Sequence, residues 1–151
     1  MTLSERVMLD TNILVYAYYR KSPHHAAARA LLEQAREGTT LLCVSPQVLT
    51  EFYAVVTHPR RISEPLSPEV AFDTITKTQA LPGMMTLPVP LQIVELWGEL
   101  VQRHAVIGQK VYDVQLVATM LGHGITRLYT YNRKDFAPFP VISLLPPSPS
   151  A

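Results

Sequence analysis

The sequence predicts an α/β domain with a central, mostly parallel sheet covered by helices on both faces. Three observations predict it. The runs RVML (6–9) and TLLCV (40–44) are apolar almost throughout, without the in–out alternation of a half-exposed strand. Segments with helical spacing lie between such runs, giving βα order. Two of those segments open on Ser-Pro, at Ser45-Pro46 and Ser67-Pro68, an N-cap serine followed by proline in the first turn.

Taken in order, residues 6–9 read as a short buried strand and 13–19 as a short helix. Residues 24–37 are alanine-rich, with Leu31, Leu32 and Ala35 at helical spacing and Gly38 as the stop. Residues 40–44 form the second strand, and Ser45-Pro46 starts a helix running to about 57, before His58-Pro59. A further helix covers 69–79. Residues 84–89 suit a short strand and 91–104 a helix around Trp97, read as a core residue. Gly108 opens a loop, 112–123 is helical, and 127–130 and 141–144 are the last strands. Prolines 65, 68, 82, 88 and 90 mark connections within one domain, 1–145, and PPSPS gives 146–151 the composition of a flexible tail.

Composition narrows the class. The net charge of +1 neither demands nor excludes a nucleic-acid partner. The single cysteine, Cys43, excludes an internal disulfide framework and a cysteine-based zinc site, and its apolar setting reads as a small buried hydrophobe. No apolar run is long enough to span a bilayer, and MTLSERVML lacks the pattern of a signal peptide, so a cytoplasmic protein without membrane contact is expected.

The stretch VMLDTNILVYAYY places Asp10 between two apolar runs, at the carboxyl end of a strand. It can cap the helix that follows or bind a ligand. Glu51 stands at the shoulder of the apolar stripe formed by Val48, Phe52, Val55 and Val56. Asp113 heads the line Asp113, Val117, Leu121 in the first turn of its helix. Singly, each carboxylate has an ordinary structural reading. Together, three carboxylates on the core side of their elements repel one another and lose hydration. A divalent cation with oxygen ligands, magnesium or manganese, resolves that conflict if the three converge. In TYNRKDF (130–136), Asn132 and Asp135 are further candidates, against the reading of a simple turn. The histidines match no zinc motif.

At these residues the chain resembles the PIN-domain nucleases and, among them, VapC-like toxins of toxin–antitoxin pairs. The resemblance lies in LDTNILVYA (9–17), SPQVLTEFYAVVTHP (45–59), G-x4-DVQLVATM (108–120) and LYTYNRKDF (128–136), in the family's order. It implies a three-layer α/β/α fold and a magnesium- or manganese-dependent endoribonuclease. It carries the family's acidic residues onto Asp10, Glu51 and Asp113, with Asn12, Thr130 and Asn132 in support. The last acidic position is open between Asn132 and Asp135. It also implies a homodimer and a cognate antitoxin.

On this reading RNA is hydrolysed by a metal-activated water, with Asp10 and Asp113 as metal ligands and Glu51 holding a water or acting as base. Arg20-Lys21, Arg60-Arg61 and Arg133-Lys134 each follow an element with a proposed site residue and are candidates for phosphate contact. The alternatives are an inactive PIN-like module that only binds RNA or protein, and a domain phosphorylated on Asp10.

Overall fold

Strand β1, Val7–Leu9, is buried at all three positions, as a central strand must be. It occupies the middle of a five-stranded sheet in the computed structural model, which describes residues 5–146. The tail expected over 146–151 lies, from residue 147, outside the described residues.

Helices α1 (Thr11–Tyr18) and α2 (His25–Glu37) lead from β1 to β2 (Leu42–Val44). Gly38 ends α2 in the left-handed conformation, φ 75°, its N–H bonding back to the last turn. Helices α3 (Pro46–Val56) and α4 (Pro68–Gln79) then lead to β3 (Met84–Thr86). The expected caps form: Ser45 accepts from the Val48 N–H and Ser67 from that of Val70. Helices α5 (Ile93–Arg103) and α6 (Val111–Gly122) return the chain to β4 (Arg127–Tyr129), and α7 (Arg133–Phe136) leads to β5 (Ser143–Leu145).

Every adjacent pair of strands is parallel, in the order β3-β2-β1-β4-β5. The chain first winds outward from β1 through β2 to β3, then crosses back to β4. Right-handed crossovers put α1 to α4 on one face and α5 and α6 on the other. The packing agrees: α1 contacts α2 and α3, α3 contacts α4, and α5 packs on α6. The order reverses between β1 and β4, so the carboxyl ends of those two strands flank the sheet's switch point.

The core follows the sequence pattern, with differences at its margins. Met8, Leu42, Cys43 and Leu128 are fully buried in the sheet. Helix α5 has no fully buried residue, and Trp97 packs against the core only partly covered. Strand β5 starts at Ser143, later than expected. The Ile142 N–H closes a turn on the Phe139 carbonyl, so pairing begins where the Ser143 N–H reaches Thr126. The TYNRKDF stretch is an open turn followed by one helical turn, α7. No helix among the described residues is long and apolar enough to cross a membrane.

Candidate active site

Asp10 directly follows β1, and Thr130 directly follows β4. The two strands are hydrogen-bonded neighbours, and the Asp10 N–H continues the ladder onto the Tyr129 carbonyl, 3.0 Å away. Sheet geometry alone therefore sets the two side chains together. The Thr130 hydroxyl, fully buried, donates to Asp10 Oδ2 at 2.7 Å. Its oxygen accepts the Asn132 N–H at 2.9 Å, which folds the turn that follows.

Asp10 is only 7% exposed and sits at the N-cap of α1. Its Oδ1 accepts the Thr11 N–H at 2.8 Å, and Asn12 Nδ2 lies 3.4 Å from Oδ2. It thus caps α1 and lines a cavity at once. Burial pushes its carboxyl above the usual range. The Thr130 and Thr11 hydrogen bonds oppose that shift, while the charges of Glu51 and Asp135 reinforce it.

Glu51 reaches the same place from the second turn of α3. Its Oε2 accepts from the Thr11 hydroxyl at 2.7 Å and its Oε1 from Gln47 Nε2 at 3.0 Å. The same Gln47 nitrogen also donates to the Tyr112 carbonyl at 2.8 Å, tying α3 to the first turn of α6. Asp113 is the next residue. It accepts no side-chain hydrogen bond from any described residue, and its carboxyl is pushed up to about 6. Burial is the largest cause, followed by the charges of Asp10, Asp135 and Glu51, and Lys110 pulls the other way.

Asp10, Glu51 and Asp113 line one open cavity of about 440 Å³, with Asn12, Asn132 and Arg61 also on its wall. No salt bridge among the described residues engages any of these carboxylates. Among the described residues, no three Asp, Glu, His or Cys side chains stand close enough to hold a metal ion between them. The carboxylates thus share a cavity and a field without forming a closed ligand cage.

The remaining sequence candidates separate. Asn132 lines this cavity; Asp135 lines an adjoining one with Asp113 and Lys134. Of the basic pairs, Arg61 alone reaches the acidic cavity. Arg20 and Lys21 line a different cleft, where Lys21 pairs with Glu64 at 3.4 Å. Arg60 and Arg133 are exposed and line neither cavity. Tyr16 and Tyr19 line the acidic cavity while their rings pack against the core.

Sequence reasoning missed Thr11 and Gln47, which hold Glu51. Gln47 carried a faint signal: it stands one helical turn before Glu51, the spacing at which side chains on a helix meet.

A PIN domain family model matches residues 7–140. The chain is 31% identical over 138 residues to ribonuclease VapC48 of Mycobacterium tuberculosis, covering 91% of this chain and 94% of that one. Its fold is similar to that of VapC20 of Mycobacterium tuberculosis, described as a sarcin–ricin loop cleaving toxin. The TM-score is 0.66 at 18% identity, covering 88% of this chain and 95% of the other. It is also similar to a chain of a toxin–antitoxin complex from Klebsiella pneumoniae, with a TM-score of 0.60 at 20% identity, covering 93% and 97%. The order of its strands, the carboxylates gathered at its switch point and these likenesses along nearly the whole chain agree: it belongs to the PIN domain family and, within that family, to the VapC group.

Proposed function

We propose that this protein is a divalent-metal-dependent endoribonuclease, the toxin of a toxin–antitoxin pair. The observation that carries the reading is the meeting of Asp10, Glu51 and Asp113 in one cavity at the sheet's switch point, with no ion pair to them among the described residues. The names of the VapC relatives support an RNA substrate.

The donor set suits magnesium or manganese. It is all oxygen, and it offers too few converging side chains for a dedicated protein cage. That is the regime in which such an ion is held by one or two carboxylates, several waters and the substrate phosphate. Asp10 and Asp113 would hold it, with Glu51 reaching it through water. Bound there, the ion would polarise the phosphate and make water a stronger nucleophile.

The chain's own groups would do the rest. Thr130 and the Thr11 N–H hold the Asp10 carboxylate in one orientation. Thr11 and Gln47 occupy one site on each Glu51 oxygen, leaving acceptor capacity to orient a water. Asp113, whose carboxyl is raised to about 6 by burial and its acidic neighbours in the metal-free protein, would be held ionised as a ligand by the cation. Phosphorylation of Asp10 has less support, because the relatives that cover most of the chain are named ribonucleases. The toxin–antitoxin complex among the similar structures supports an antitoxin partner, and a homodimer belongs to the same reading.

Single-stranded RNA incubated with the purified protein and manganese or magnesium should be cut internally, and Asp10→Asn or Asp113→Asn should abolish cutting while the fold persists. Wild-type rates in either variant, or intact RNA with both metals, would refute the proposal.

A further inference from the structure

A second cavity, about 320 Å³, adjoins the acidic one, and Asp113 lies on the wall of both. The α5–α6 connection and α7 build it. Lys110 comes from the short 3-10 turn Gly108–Lys110 ahead of α6, and Lys134 from α7. Both are exposed, and neither side chain makes a hydrogen bond or ion pair with a described residue. Two cations from separate elements thus face one hollow beside the proposed reaction centre. Ile107, 82% exposed, lines the same cavity, with Val106 next to it in the chain.

We propose that this second cavity is a nucleotide subsite for the residue next to the cleaved bond, with Lys110 and Lys134 on its phosphate and Val106 and Ile107 against its base. The inference rests on the ribonuclease reading above and states how the substrate lies across the site. A strand whose scissile phosphate sits at Asp10 and Asp113 must continue past Asp113, and this cavity is where it would go. Asp113 and Asp135 alone would repel the next phosphate at that point. The two lysines offset them, as an RNA path along an acidic centre requires. The apolar rim suits the face of a base, and its aliphatic side chains accept any base without hydrogen-bond readout.

The test is steady-state cleavage of a single-stranded oligonucleotide by wild-type protein, Lys110→Gln, Lys134→Gln and the control Lys21→Gln. Both subsite lysines are exposed, so unchanged unfolding midpoints are expected. Each subsite variant should raise KM roughly tenfold, the loss of one charge-assisted phosphate contact, with kcat nearly unchanged. Each should lower the slope of log KM against log salt by about 0.7. Lys21→Gln should leave both quantities unchanged. The penalty should vanish when the RNA is shortened, on one side only, to end at the cleaved bond.

Wild-type KM and salt slope in both subsite variants would overturn the subsite while leaving the ribonuclease reading intact. So would a penalty that persists on RNA shortened from either side, which would mark a diffuse charge effect. If the wild-type protein cuts no RNA, the ribonuclease reading falls on its own. Fluorescence anisotropy with the same RNA then decides the subsite: wild-type affinity in both variants overturns it, and a salt-dependent loss supports it.

Discussion

Replacing Asp113 by asparagine should make the metal-free protein more stable while removing its activity. The Asp113 carboxyl is raised from 3.8 to about 6, chiefly by burial and then by the charges of Asp10, Asp135 and Glu51. A folded-state pKa above the unfolded value means that folding favours the neutral acid. Ionisation therefore weakens the fold, beginning near pH 4 and fully expressed above pH 6. Taken whole, the shift corresponds to about 3 kcal/mol. Asp113 is only half-buried, and solvent screening reduces this to on the order of 1–2 kcal/mol.

Asparagine keeps the shape and carries no charge, and no side-chain hydrogen bond to Asp113 is broken by the exchange. Urea unfolding followed by circular dichroism, in chelator, should show Asp113→Asn more stable by that amount at pH 7.5. The difference should shrink as pH falls through 6 and disappear below 4. Some pH dependence should remain in the variant, because Asp10 is raised in the same direction. Manganese should then stabilise the wild type and close the gap. Equal or lower stability of Asp113→Asn at pH 7.5 in chelator would refute the electrostatic account of this site.

Other perturbations probe its supports. Thr130→Val removes a hydroxyl that donates to Asp10 and accepts from Asn132. It should lower stability at neutral pH by about 1.5–3 kcal/mol, as for a hydrogen bond to a charged group, with Thr130→Ser close to wild type in the same unfolding assay. Gln47→Ala frees Glu51 Oε1 and the Tyr112 carbonyl. Single-turnover kinetics should show cleavage slowed roughly tenfold, with less than about 1 kcal/mol lost in unfolding, since Gln47 is not in the core. Arg61→Gln should weaken RNA binding and flatten its salt dependence in fluorescence anisotropy, whereas Arg20→Gln, on another cleft, should change neither. The rise in thermal midpoint on adding manganese should be larger at pH 8 than at pH 5, because protons compete for the same raised carboxylates.

What was legible in the sequence, and what was not, divides along a physical line. The fold was legible because buried strands and capped helices are written locally. LLCV is apolar on every residue, and Ser45-Pro46 announces a helix within two positions. Asp10 was legible for the same reason: a carboxylate between two buried runs is anomalous within its own neighbourhood. The contacts that give the site its shape were not legible, because they join residues distant in sequence through donors that look ordinary in place. Thr11 reads as the first residue of a helix and Gln47 as a polar residue near a helix start, yet the two grip Glu51 from α1 and α3. Asn132 and Asp135 could not be told apart because one turn of α7 separates them and the sequence suggested no helix there. With that turn formed, Asn132 faces the acidic cavity and Asp135 the next one, where its charge still reaches both Asp10 and Asp113. A carboxylate can thus act on this site through its field without lining it. Asp135→Asn should therefore lower the Asp113 carboxyl toward its ordinary value, and carboxyl NMR titration of Asp113 in metal-free protein would detect that change; an unmoved Asp113 would show that burial and the charges of Asp10 and Glu51 raise it without Asp135.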